Sequence, residues 1–112
     1  MKSKKSLANL LSNGWTKHEE KRYMQRGEIQ YCLSGGLRHL GLMKGMPILR
    51  EVISELFPER VEKIMKGLIR RYSKATRLFP INVVMDFNDM RATTKDQVLK
   101  VAEEFDRRYP NV

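Results

Sequence analysis

Apolar residues recur along this chain mostly at helical spacing. From Pro47 onward, Ile48, Leu49, Val52, Ile53, Leu56 and Phe57 fall at i, i+1, i+4, i+5, i+8 and i+9. That is one face of a helix, and Pro47 suits its first turn. Pro58 interrupts this face and can open the next helix. There Val61, Ile64, Met65, Leu68, Ile69 and Tyr72 follow i, i+3, i+4, i+7, i+8 and i+11, predicting a helix through about Ala75. Ahead of these, Ser3 or Ser6 can cap a short helix through Leu7, Ala8, Leu10 and Leu11. Gly14 is placed to end it in the left-handed conformation, with Trp15 folding back on its last turn. A second helix begins near Cys32 or Ser34 and runs through Leu37 and Leu40 to Gly41, and 41–47 reads as a loop.

Two stretches are less regular. Residues 15–30 are polar, with Gly27 as a turn, and short extended pieces at 15–16 and 29–32 are placed to pair as a minimal hairpin. In 81–87, Val and Phe favour a strand, yet Ile81, Val84, Met85 and Asn88 also suit two helical turns. The helical surroundings decide for a short helix. Asn88 and Asp89 then read as a turn, because both side chains bond nearby backbone amides. Thr94 with Gln97 three residues on is a capping box, opening a last helix through Val98, Val101, Ala102, Phe105 and Tyr109 up to Pro110. The expected fold is mainly α, one domain over 1–112 of about five helices with a short two-stranded hairpin, and 1–5 as a basic arm. Its expected core is Leu7, Leu10, Leu11, Trp15, Leu37, Leu40, Val52, Ile53, Leu56, Val61, Ile64, Leu68, Phe87, Val98, Val101, Ala102 and Phe105.

Composition narrows the function classes. At 112 residues, 41% hydrophobic and 31% charged, the chain has the balance of one globular domain. A single cysteine excludes an internal disulfide and a cysteine-rich metal site. No apolar run is long enough for a membrane span or a signal peptide, so no membrane insertion and a cytoplasmic location are expected. The net charge of +9 is uneven: residues 1–46 carry +6, 47–79 carry +4 and 80–112 carry −1. Such polarity steers anionic partners to one side of a small domain.

The strongest concentration lies on the fourth helix. Lys63, Lys66, Arg70, Lys74 and Arg77 fall 3, 4, 4 and 3 residues apart, with Arg71 at the edge. They occupy about 80° of arc opposite the apolar face. If the helix continues to Arg77 they extend over roughly 21 Å, enough to meet several backbone phosphates. A solvated face is the plainer account of such a stripe, and Glu59 with Lys63 and Glu62 with Lys66 would pair in the favoured order. No acid balances it from Arg70 onward. No helix-turn-helix turn, zinc-finger spacing or aromatic RNA-binding signature supports base readout.

Chemistry is thinner. Ser34, Gly35 and Gly36 can hold a phosphate at a helix start, or can equally be a close-packing point between helices. Cys32 is a small buried residue or, at a helix start, a reactive thiol. His39 lies about 10 Å further along the axis, too far to serve as its base. His18 reads as a surface residue. Asp86 and Asp89 offer two carboxylates without further ligands, and Asp89 fits a turn or cap better. Met43 and Met46 would form an adaptable docking surface if exposed, with burial as the default. No nucleophile, base and oxyanion donors assemble, and no metal or cofactor motif is present. A binding protein is therefore expected before a cysteine-dependent enzyme.

Four pieces occur in a recognisable order: a Gly-Trp-Thr after the first helix (Gly14, Trp15, Thr16), a Cys-x-x-Gly-x-Leu start (Cys32, Gly35, Leu37), an aromatic-Asn-Asp (Phe87, Asn88, Asp89), and a Thr-capped helix with Val98 and Leu99. This order resembles a family of small bacterial and phage proteins sharing a domain without an assigned function. The resemblance covers most of the chain, with 41–80 matching only as helical filler. Phe87 stands where the family has Trp and Gly36 where Ala is usual, and the basic stripe is particular to this chain. The resemblance implies a phage or mobile-element accessory protein of the bacterial cytosol. Joined to the stripe, the expected partner is a polyanion, nucleic acid or nucleotide. The alternative is an acidic host protein that the chain inhibits or adapts.

Overall fold

The structure is a computed structural model and describes residues 6–71 and 79–109. The basic arm at 1–5 and the expected end of the fourth helix at Tyr72 and Ala75 lie outside them. Among the described residues the chain forms α1 (Leu7–Asn13), β1 (Lys21–Tyr23), β2 (Ile29–Tyr31), α2 (Leu33–His39), a 3₁₀ turn (Met43–Gly45), α3 (Met46–Leu56), α4 (Pro58–Arg71), α5 (Pro80–Asp89) and α6 (Lys95–Arg108). The mainly helical fold with a short antiparallel hairpin is therefore as expected, and 81–87 is helical.

Local chemistry sets most boundaries. Ser6 caps α1 by accepting the Asn9 N–H at 3.0 Å. Asp106 on α6 completes that cap, since its Oδ1 accepts Leu7 N at 2.9 Å and its Oδ2 accepts Ala8 N at 3.0 Å. A helix of seven residues is marginal alone, so α1 depends on this anchor and on burying Leu7 and Leu11 completely. Pro47 and Pro58 stand in the first turns of α3 and α4. The Thr94–Gln97 capping box opens α6.

The core joins α3, α5 and α6, with α1 laid on α6 and α4 on α5. Phe87 and Phe105 are the largest fully buried side chains. Leu33, Leu49, Val83 and Val84 are also fully enclosed. The sequence-derived core holds except at its edges: Leu10, Trp15 and Leu40 are half-buried, and Leu56 is exposed. α3 ends at Leu56, and the inward place passes to Phe57, whose ring lies 5.2 Å from that of Phe87.

Three expectations at the loops need correction. Gly14 is not left-handed: at φ 175° it is extended, and its lack of a side chain serves close approach. A Cβ there would stand 3.1 Å from the Ile29 carbonyl oxygen. The hairpin partner of β2 is Lys21–Tyr23, not 15–16, with Lys21 opposite Tyr31 and Tyr23 opposite Ile29. Gly27, at φ 83°, provides the turn. Trp15 does meet Tyr31, but as an isolated parallel bridge on the other edge of β2. Finally, Asn88 and Asp89 form the last turn of α5 rather than a loop. Their side chains find partners far away in sequence, which removes the local competition that would have broken the helix.

Candidate functional site

On α4, Val61, Ile64 and Leu68 are buried while Lys63, Lys66 and Arg70 are exposed. The periodicity thus places three of the expected anion-binding residues in one row facing solvent. Lys66 lies 3.6 Å from Glu62, both side chains 71% exposed. Such a pair contributes little and does not withhold the lysine from another anion. Arg71 ends the helix with its side chain outside the described residues, where Lys74 and Arg77 also fall. Arg60 points the other way: its Nη1 donates to Gln97 Oε1 at 2.7 Å, and its guanidinium lies over Phe57 and Phe87. It fastens α4 to the core and takes no part in the row.

At the start of α2 the two glycines are packed tightly against neighbouring chain. Gly35 lies so near β1 that a Cβ would come within 2.0 Å of the Glu20 carbonyl oxygen. At Gly36 a Cβ would meet Leu7 at 2.9 Å. Gly36 thus realises the expected close packing between helices, whereas Gly35 is packed against the backbone just ahead of β1. Cys32 caps the helix, its Sγ accepting the Gly35 N–H at 3.2 Å and lying 3.2 Å from Ser34 Oγ. Cys32 and Ser34 are both buried, at the wall of a cleft. His39 pairs with Tyr31, Nδ1 standing 3.3 Å from the phenol oxygen, and so is not aimed at Cys32.

That cleft, about 230 Å³, opens between residues 18–20, the start of α2 and the outer side of α5. Its floor is Asn88, 1% exposed and fully used. Oδ1 accepts from the Trp15 indole N–H at 2.7 Å and from Leu33 N at 3.1 Å. Nδ2 donates to the Thr16 carbonyl at 3.1 Å and to Asp89 Oδ1 at 3.0 Å. One side chain thereby ties the Trp15 segment, the start of α2 and the end of α5 together. Asp89 also accepts the His18 N–H at 2.8 Å, and His18 holds a left-handed φ of 67° to give it. Lys17 Nζ reaches the Met90 carbonyl, closing the same loop onto α5.

This hub escaped sequence reasoning, which treated Asn88 as a turn former. The available signal was chemical: an indole N–H needs an acceptor when covered, but nothing in spacing says that the acceptor lies 73 positions later. The segments around Trp15, Cys32 and Asn88 meet here. Thr93, just ahead of the α6 cap, is tied to the same helix, its hydroxyl donating to the Phe87 carbonyl at 2.7 Å. Met43 is half-buried and Met46 buried, so neither forms a docking surface. Among the described residues no group of three His, Cys, Asp or Glu side chains is close enough to hold a metal ion. None of their helices is long and apolar enough to cross a membrane. No family model matches the chain, and neither the curated proteins nor the solved structures gave a match to it.

Proposed function

We propose that this chain is a phage-type accessory protein of the bacterial cytosol that binds a polyanion, with nucleic-acid phosphates as ligand, through the exposed face of α4. One observation carries the reading: Lys63, Lys66 and Arg70 project to solvent within a stretch, Lys63 to Met85, that contains no acidic residue. Arg71, Lys74 and Arg77 belong to the same acid-free stretch in sequence. Cations held in a row replace the counterions condensed on a phosphate backbone, and the released ions drive association. No base-reading element accompanies the row, so affinity depends on charge density and little on sequence.

The test is fluorescence anisotropy with a labelled duplex at several salt concentrations between about 50 and about 200 mM. Affinity should fall steeply with salt. Lys66→Ala with Arg70→Ala should make the log–log slope shallower by about 2, since each phosphate left unneutralised removes about 0.9. An unchanged slope removes α4 from the interface. A stoichiometric complex with an acidic host protein that survives nuclease, together with no duplex binding, replaces the reading by the protein-partner one.

A further inference from the structure

We propose that the cleft above Asn88 is a separate binding site for an alkyl cation, a short aliphatic chain ending in an ammonium or guanidinium, with Asp89 as its anchor. Its volume, about 230 Å³, lies below the roughly 300–1,000 Å³ of pockets that enclose drug-sized ligands. It therefore suits a single short chain rather than a fused-ring molecule.

Charge selects the sign. The chain carries +9 overall, yet the cleft wall holds three carboxylates, Glu19, Glu20 and Asp89, against one arginine, Arg38. Two of these are already neutralised, Glu19 by Arg22 and Glu20 by Arg38. Asp89 differs. Its Oδ1 is bonded to two neutral donors, the His18 amide and Asn88 Nδ2, and its Oδ2 stands 4.0 Å from His18 Nδ1. Among the described residues no lysine or arginine pairs with it, although Lys63 borders the groove on its far side. A carboxylate in this setting attracts a cation, and two orienting hydrogen bonds hold it ready, so little freedom is lost on binding.

The helix that carries Asp89 also selects the body of the ligand. Ile81 and Met85 line the cleft, two turns and one turn before Asp89 on the same helix, and Met85 is 44% exposed. Methylenes laid along these side chains bring a terminal cation to the carboxylate. A free amine and the lysine or arginine side chain of a partner share this chemistry. The site's anchor and its apolar wall both lie on α5, and of the α4 row only Lys63 stands at its border, so the proposal goes beyond the polyanion reading and fails or stands without it.

The test titrates the whole protein at low ionic strength with n-butylguanidinium chloride, read by fluorescence of Trp15, the sole tryptophan, and by the His18 amide shift in NMR. Trp15 is bonded to Asn88 and reports on the cleft through it, while the His18 amide reports at the wall itself. Saturable millimolar binding is expected, with butanoate and n-butanol giving none. Asp89→Asn keeps an oxygen acceptor for the His18 N–H while removing the charge, and should weaken binding at least about tenfold. Met85→Ala, on an exposed position, should erase the preference for butyl- over methylguanidinium and keeps the test alive if Asp89→Asn unfolds. Tighter binding of acetyl-arginine-amide than of butylguanidinium supports the site with a partner side chain as source, and the reverse supports it with a free small cation. No saturable change, equal binding by Asp89→Asn, or equal binding of butanoate overturns the proposal.

Discussion

Replacing Asn88 by leucine keeps the number of side-chain heavy atoms, in a somewhat bulkier shape, while removing an amide that makes four hydrogen bonds. Two of the groups left behind are buried, the Leu33 N–H and the Thr16 carbonyl. The other two, the Trp15 indole N–H and the Asp89 carboxylate, are half-buried and can turn to water. Each stranded buried group costs about 1–3 kcal/mol, so the expected loss is about 2–6 kcal/mol. Against a typical total of about 5–15 kcal/mol this is a large fraction. With an m-value near about 1.5 kcal/mol/M, the urea midpoint should drop by roughly 1–4 M at constant m. Far-UV circular dichroism is the suitable assay, because Trp15 fluorescence would change with its own lost bond. Asn88→Asp adds a sign test. It keeps the acceptor for Trp15 and Leu33 but aims a carboxylate oxygen at the Thr16 carbonyl and at Asp89. Its folded-state pKa is then raised, so its stability relative to wild type should recover as pH falls, when a protonated oxygen donates again. A leucine variant within about 1 kcal/mol of wild type would refute the hub, since that is the effect of an ordinary surface hydrogen bond.

Other substitutions separate close packing from capping. Gly35→Ala should lower stability severely, by about 3 kcal/mol or more, because its Cβ meets the Glu20 backbone. Gly36→Ala should stay within about 1 kcal/mol of wild type, since it meets only Leu side-chain ends and alanine favours the helix. Both are read by urea melts. Asp106→Ala should cost about 1–2 kcal/mol and raise amide exchange in α1 first, as two N–H groups lose their acceptor. Glu104 has its carboxyl pulled from 4.5 to about 2 by hydrogen bonds from Arg107 and then Arg108. The folded value being the lower one, its contribution is complete above about pH 5 and fades as pH falls towards about 2. Glu104→Gln should flatten that part of the acid stability curve.

The helices from Ser6 to Asn13, from Met46 to Arg71 and from Lys95 to Arg108 were legible because their determinants are local. Capping side chains, prolines in first turns and apolar residues three and four apart act within a few positions of themselves. The solvent-facing row of Lys63, Lys66 and Arg70 followed from the same periodicity. What sequence alone could not decide was every pairing across long separation. The partner of β2 was misplaced because two polar segments, 15–16 and 21–23, competed for its two edges, and both took one. Asn88 read as a turn former because its amide also satisfies local backbone. Only the folded chain brings Trp15, Thr16 and Leu33 within 3.1 Å of it and makes the helical conformation the better-bonded one. The cleft beside Asp89 belongs to the same class. Its walls come from three separated segments, and a carboxylate bonded by neutral donors rather than by a cation is a property of position in space.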